Sequence, residues 1–328
     1  MKAIRIEEIG GPEVLKWEDV APVEEPGPGE AVVRVVAAGV NFMDVQQRSG
    51  RYPVQLPFTP GVEAAGVVES VGEGVTGVKP GDRVAYAGQL GAYAEASAVR
   101  ADRLIPLSDA FSFEEGAAFP LQGITAHYLT HEFRPVKKGD IVLVHAAAGG
   151  VGLLLTQWAR HLGARVIGTV SNEEKARIAL EAGLHDVIVY TRLDFVAEIK
   201  RLTDGHGADL IFDAVGRTTF TGDLQAAATR GHIVVFGATS GLAEPVSPNM
   251  LMGRALTLSG GSLANFMVTR EETMRRAKAV LDALREGWLK LRIDHVLPFS
   301  QAAEAHRLLE SRETSGKIVL MNGGPGGA

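Results

Sequence analysis

Hydrophobic and polar positions change rhythm three times along this 328-residue chain. In the N-terminal third, short alternating or β-branched runs (KAIRI, EAVVRVVAAGV, AAGVVESVG, DRVAYAG) are separated by glycine and proline. Runs of that length at close spacing predict an all-β unit rather than βα repeats. EEPGPGE, Glu24 to Glu30, predicts a turn, and Asn41 to Ser49 a helix ended by Gly50. From Ser112 the pattern turns helical on both sides of Pro120, and from Gly139 strands and helices alternate. Strands are expected at Ile141–Val144, RVIGTV, DVIVY, DLIFDAV and HIVVFGA, with ALTLSGG (Ala255 to Gly261) able to extend the sheet. Helices are expected from the first of these strands up to Gly163, over Asn172 to Ala182, over Asp194 to Leu202 and around Asp223 to Ala228. Such alternation predicts a parallel sheet with helices on both faces, because each parallel crossover needs a covering element. The tail predicts a long helix, Arg270 to Gly287, then IDHVLPFS, a helix over Gln301 to Ser311, a last strand KIVLM and a frayed end, GGPGGA.

The most informative junction is Asp140 to Gly152, DIVLVHAAAGGVG. Aliphatic residues end in small ones, and Val151, Leu154, Leu155, Trp158, Ala159 and Leu162 then keep helical spacing. Ala146, Gly149 and Gly152 stand where a dinucleotide-binding turn needs small residues: for the turn itself, for approach of a pyrophosphate, and for helix-to-strand packing. The N–H groups of the helix start (Ala148, Gly149, Gly150, Val151 and Gly152) are the candidate phosphate donors.

Composition narrows the field. The length suits two domains, and 46% apolar with 22% charged residues suits a globular protein. A net charge of −6 argues against nucleic acid as the main partner. With no cysteine there is no disulfide, thiolate zinc site or cysteine nucleophile, and a reducing interior is the simple reading. No targeting pattern follows Met1 and no apolar run is long enough to span a membrane, so a cytoplasmic location is expected. Paired carboxylates, G-x-S-x-G and a strong triad are all missing from the sequence, which fits chemistry carried by a cofactor.

Several motifs in order, GVNFMD, RSGRYP, GVEAAGVVESVGEGV, GDRVAY, HAAAGGVG and FDAVG, resemble the zinc-independent quinone oxidoreductases of the medium-chain dehydrogenase/reductase superfamily, which include zeta-crystallin. The resemblance implies a Rossmann doubly wound parallel sheet domain, residues 123–264, inserted in a GroES-like, mainly β catalytic domain, residues 1–122 and 265–328. Zinc-dependent relatives carry a Cys at the place of Asn41 and a His at the place of Val62, with Glu63 matching the acid beside that His. Neither Asn41 nor Val62 replaces a thiolate or imidazole, so no metal is expected. His127, His131 and His145 are read as structural or surface residues.

The resemblance also implies a cofactor. NAD-binding Rossmann domains carry an acid about 20 residues past the glycines; here strand RVIGTV ends in Ser171, which with Glu174 has the spacing of a capping box. Lys175 and Tyr190 match positions that bind the 2′-phosphate of NADPH in the family, and Arg312 matches a further basic contact. Phe236, Gly237 and Ser240 stand at a parallel strand end, where open sheets bind ligands. NADPH is therefore the expected cofactor.

Asn41, Tyr52 and Thr125 match positions at the nicotinamide end of the interdomain cleft, and Asn41 can bond either cofactor or substrate. Asp44 is expected to orient its neighbours, and Gln122 is a looser pocket candidate. The expected activity is NADPH-dependent reduction of a small-molecule quinone. The alternatives are reduction of activated double bonds (2-alkenals or enoyl thioesters), and NADPH binding with little catalysis. A homodimer is expected because relatives pair Rossmann sheets edge to edge, with ALTLSGGSL the candidate edge.

Overall fold

The computed structural model describes residues 1–323, so the expected frayed end lies, from Gly324 on, outside the described residues. The chain divides into two compact units: Met1–Gln122, Met267–Lys278 and the chain from Leu291 on, and Gly123–Phe266 with Ala279–Lys290.

The first unit opens with an antiparallel pair, β1 (Lys2–Arg5) and β2 (Lys16–Asp19). Next come β3 (Glu30–Val40), helix α1 (Phe42–Arg48), β4 (Glu63–Val71), β5 (Arg83–Ala87), β6 (Ala96–Arg100) and β7 (Ile105–Pro106). The four expected N-terminal strands are β1, β3, β4 and β5. The pattern missed β2, β6 and β7: KWED in β2 is largely exposed and β7 has two residues, so neither carries an apolar rhythm. Helix α2 (Phe113–Ala118) is capped by a reciprocal Ser112/Glu115 box. Pro120 then opens α3 (Pro120–His131), where its missing N–H costs nothing.

The second unit alternates as the sequence predicts: β8 (Ile141–Val144), α4 (Gly150–His161), β9 (Arg165–Val170), α5 (Glu173–Glu181), β10 (Asp186–Val189), α6 (Phe195–Leu202), β11 (Ala208–Asp213), α7 (Phe220–Ala226), β12 (Ala227–Val235), a short α8 (Asn249–Met252) and β13 (Thr257–Gly260). All six strands are parallel, in the order β10-β9-β8-β11-β12-β13. The order reverses between β8 and β11, the crevice where doubly wound sheets take ligands. Among the described residues β13 pairs with β12 alone and forms the sheet edge. Helix α7 starts three residues earlier than expected, and Ala227 and Ala228 begin β12 instead, since Ala227 pairs with Ala208.

The tail supplies α9 (Arg270–Glu286), β14 (Ile293–Pro298), α10 (Ala302–Ser311) and β15 (Lys317–Met321). β15 inserts between β14 and β3 of the first unit's sheet, whose main path runs β14-β15-β3-β4-β5-β7. No helix among the described residues is long and apolar enough to cross a membrane.

Candidate functional site

At the carboxyl edge of the parallel sheet, β8 leads into a tight turn. Ala146 takes a left-handed φ of 50°, uncommon for a residue with a side chain. The Ala147 N–H bonds to the Thr169 carbonyl at 3.0 Å and the Gly149 N–H to that of Ala146 at 2.9 Å, fastening the turn to β9. Gly149 is the N-cap of α4, so Gly150, Val151 and Gly152 form its first turn, where N–H groups lack intrahelical partners. A Cβ on Gly152 would lie 2.3 Å from the Ala146 carbonyl, so only glycine lets helix and turn meet. Ala148 is buried inside the same turn.

The ends of β9 and β10 are tied together. The Tyr190 N–H bonds to the Val170 carbonyl at 3.1 Å, and the Thr191 hydroxyl donates to the Ser171 carbonyl at 2.9 Å. This brings Ser171 and Tyr190 onto neighbouring strand ends, with Lys175 in the helix that follows Ser171 and Tyr190 about half exposed. The cap of α5 departs from expectation: Asn172, not Ser171, is the N-cap, and its side chain accepts from the Lys175 N–H at 2.9 Å. The backbone at Asn172 is still extended, so the helix starts one residue late and Lys175 stands in its first turn. Arg192, which the sequence reading passed over, pairs with Glu173 at 2.6 Å beside them.

Next along the edge, the Phe236 N–H bonds to the Asp213 carbonyl and the Ser240 N–H to that of Val215, both at 2.9 Å. Ser240 Oγ also donates to Val215 O (2.8 Å) and accepts from the Thr218 N–H (3.1 Å). A Cβ on Gly237 would stand 2.7 Å from the Ala214 carbonyl. Thr125 lies buried on α3 of this unit, on the same helix as the buried Tyr128. Behind the fingerprint turn, His145 bonds Thr169 Oγ1 (2.9 Å) through Nδ1 and Asp223 Oδ1 (2.7 Å) through Nε2, all buried. Burial opposes charge on both partners; it lifts Asp223 to about 6, while the Asp223 and Asp213 carboxylates hold His145 above its ordinary value.

In the first unit, sheet register assembles a second cluster. β3 ends at Val40, opposite Ile318 of β15, and Ala38 faces Ala64 of β4. Asn41, Glu63 and Lys317 therefore stand at the ends of three adjacent strands. Lys317 Nζ donates to Asn41 Oδ1 at 2.7 Å and to Glu63 Oε2 at 2.5 Å. Asn41 Nδ2 donates to Glu63 Oε2 at 3.0 Å and to the Gly39 carbonyl at 3.1 Å. The other Glu63 oxygen accepts from the Leu121 N–H at 2.7 Å. The carboxylate that accompanies a metal ligand in zinc-dependent relatives is thus neutralised here by an ammonium.

Asp44 does orient its neighbours: its Oδ2 accepts from the Asn41 N–H and from Tyr93 Oη, both at 2.8 Å. Burial raises its pKa to about 7 against the pull of those hydrogen bonds. Tyr93 faces His306 Nε2 at 3.4 Å, and Arg48 contacts both His306 Nδ1 (3.2 Å) and Glu310, the latter through two bonds of 2.9 and 2.8 Å. Tyr52 follows α1 in an exposed loop, held by its N–H to the Gln46 carbonyl. Gln122 is partly buried where the first unit ends within α3. Arg312 is the exposed C-cap of α10, with a left-handed φ of 61°. It belongs to the first unit with Asn41 and Tyr52, whereas the other candidate cofactor residues and Thr125 belong to the second. Lys317, Tyr93, His306 and Arg48 escaped the sequence reading. Only Lys317 left a signal, as a lysine heading an otherwise apolar strand, a residue type that is buried only when paired.

Residues 27–109 match the family model described as "Alcohol dehydrogenase GroES-like domain", and residues 150–282 match "Zinc-binding dehydrogenase". Among curated proteins, the chain is 40% identical over 323 residues to the quinone oxidoreductase of Pseudomonas aeruginosa, covering 98% of this chain and 99% of that one. It is 39% identical to the 2-haloacrylate reductase of a Burkholderia species, covering 96% and 97%. The crystal structure of Escherichia coli quinone oxidoreductase complexed with NADPH superposes with a TM-score of 0.95 at 39% identity, covering 98% of this chain and all of that one. With the Rossmann strand order, the dinucleotide turn and the strand-end cluster now placed, these full-length similarities identify the chain as a member of the quinone oxidoreductase family of the medium-chain dehydrogenase/reductase superfamily.

Proposed function

We propose that this protein reduces small quinones at the expense of NADPH. The observation that carries the reading is the full-length similarity, near 40% identity, to quinone oxidoreductases, one of them solved with NADPH. The carboxyl edge of the sheet fits such a cofactor. The start of α4 offers N–H groups and a positive helix end to a pyrophosphate, and the Gly152 contact leaves no room for a side chain there. Ser171 in place of an acid, Lys175 in the first turn of α5 and Tyr190 at the next strand end suit a 2′-phosphate, with Arg312 a further basic candidate. Phe236, Gly237, Ser240 and Thr125 are proposed to border the nicotinamide half.

NADPH, when bound, supplies the reducing electrons. The residues of the chain position that ring and shape the substrate slot. Asn41 and Tyr52 are the proposed contacts from the first unit, Tyr52, a half-exposed residue, carrying a phenol that can donate to an oxygen gaining charge. Asp44 holds the start of α1 through the Asn41 N–H.

A steady-state screen tests the proposal: 1,2- and 1,4-quinones against 2-alkenals, enoyl thioesters and 2-haloacrylate, with NADPH and NADH in parallel. Turnover of quinones with NADPH is the expected result. Turnover of only the activated alkenes favours the second reading, for which the similarity to a 2-haloacrylate reductase is the supporting observation. Tight NADPH binding without oxidation by any acceptor favours a binding role. The protein is further proposed to act as a cytoplasmic homodimer joined along the β13 edge, where Thr257–Gly260 has no second strand neighbour among the described residues. Light scattering giving the mass of one 34.8 kDa chain at micromolar concentration would refute the dimer.

A further inference from the structure

An asparagine side chain can be drawn with oxygen and nitrogen exchanged, and its partners decide which is right. At Asn41 they decide it without ambiguity. The Lys317 ammonium has donors and no acceptor, so the atom 2.7 Å from it is the amide oxygen. The Gly39 carbonyl and the Glu63 carboxylate have only acceptors to offer, so the atom between them is the amide nitrogen. That nitrogen has two N–H groups, and these two partners use both. The Asp44 N–H, the donor that a capping box would bring to the amide oxygen, bonds instead to the Asn41 backbone carbonyl at 3.0 Å, so one lone pair of the amide oxygen remains.

The three residues differ in what they can reach. Glu63 and Lys317 are 0% and 1% exposed, while Asn41 retains 6%. The buried pair therefore acts on any ligand through Asn41. Gly39 belongs to the same device: a Cβ there would lie 2.6 Å from Glu63 Oε2 and 2.7 Å from Lys317 Cε, so a glycine keeps the space in which the triangle closes.

We infer that Lys317 and Glu63 are positioning residues that lock the Asn41 amide as an acceptor, assigning it to a hydrogen-bond donor on the nicotinamide half of the bound dinucleotide and not to the carbonyl of a quinone. This rests on the proposed NADPH site with Asn41 as one of its contacts. The chemistry of the two ligands makes the distinction. The dinucleotide carries donors at that end, ribose hydroxyls and a carboxamide NH₂, whereas quinone and enone oxygens only accept. An amide free to turn would serve either ligand; a locked one serves the first. The donor that meets the oxygen gaining charge must then come from elsewhere, and the half-exposed Tyr52, with its phenol, is the candidate.

The test uses the full-length protein and four variants: Asn41→Ala, Lys317→Met, Lys317→Arg and the double variant Glu63→Gln with Lys317→Met. The double variant removes both buried charges together and keeps the experiment decisive if the unpaired carboxylate of Lys317→Met prevents folding. NADPH affinity is read by fluorescence titration, the affinity for adenosine 2′,5′-bisphosphate by calorimetry, and the quinone KM by steady-state kinetics. Asn41→Ala, Lys317→Met and the double variant are each expected to weaken NADPH about tenfold, the loss of roughly one hydrogen bond. The bisphosphate affinity and the quinone KM should stay within about twofold of wild type on the same basis. Lys317→Arg, which still donates, should recover most of the loss.

Equal weakening of NADPH and bisphosphate in the Lys317 variants would show a general structural effect and overturn the inference. So would a rise in quinone KM with NADPH affinity unchanged. So would NADPH binding that is normal in the double variant yet weakened by Asn41→Ala. If Asn41→Ala itself binds NADPH normally, the underlying assignment of Asn41 as a cofactor contact fails.

Discussion

Arg48 fixes the tautomer of His306. A guanidinium can only donate, so the Nδ1 it faces at 3.2 Å is the bare nitrogen and Nε2 carries the proton. Burial, reinforced by the Arg48 charge, pushes the His306 pKa down to about 3, which keeps the ring neutral in any ordinary buffer. The Nε2 proton points to Tyr93 Oη and the Tyr93 proton to Asp44, giving a line of donors with one direction from α10 to the start of α1.

Removing the source of that line should be costly. In Arg48→Met the His306 Nδ1, the Gly10 carbonyl and the Glu310 carboxylate all lose their donor. Glu310 keeps some water contact, with 35% of its side chain exposed, so the loss is placed at the low end for a broken buried pair, about 3 kcal/mol. Urea unfolding should show a lower midpoint with an unchanged slope.

Asp44 makes stability depend on pH. In the folded chain it holds its proton up to about pH 7, against an ordinary value of 3.8. Between those values the folded state binds more protons than the unfolded state, so stability falls as pH rises through the interval and levels off above it. The contribution is on the order of 4 kcal/mol. Unfolding free energies for wild type and Asp44→Asn between pH 4 and 8 should diverge in that direction; parallel curves would refute the buried, proton-holding carboxyl.

Lys175→Ala should lower the ratio of kcat/KM for NADPH over NADH by about ten- to a hundredfold, the worth of one charge-assisted hydrogen bond. An unchanged ratio would remove Lys175 from the 2′-phosphate site.

Gly152→Ala tests the fingerprint turn. Its new Cβ would meet the Ala146 carbonyl at 2.3 Å and the Ala147 Cα at 2.8 Å, both backbone atoms that cannot swing aside. We expect a loss of about 2 to 3 kcal/mol in stability and at least about tenfold in NADPH affinity, read by thermal melting and fluorescence titration. Normal binding in a stable Gly152→Ala protein would mean that the close approach has no bearing on the cofactor.

The second unit was legible in the sequence because its signals are local. The Ala146, Gly149 and Gly152 spacing, the strand-helix alternation and the lysine in the first turn of α5 all lie within a few residues of what they define. The cap of α5 slipped from Ser171 to Asn172 because both residue types cap well and only the backbone decides. The strand-end cluster of the first unit was half legible. Asn41 was found through the family position it occupies, but Lys317 is separated from it by 276 positions, and the contact exists only because β15 is placed beside β3. No pattern along the chain encodes a register between strands so far apart. His306 and Tyr93 were invisible for the same reason, each ordinary in its own segment and joined to Asp44 only by the fold.

The placement of β15 also sets an order of events during synthesis. Lys317 leaves the ribosome 254 residues after Glu63, a wait of roughly 10 to 50 s at common elongation rates. Until then β3 and β4 present a carboxylate whose cation has not been made, and closing the sheet over it would bury an unpaired charge. The strand-end cluster of the first unit thus matures last, and a nascent chain can complete its inserted parallel strands while the older β-sheet still waits for one lysine.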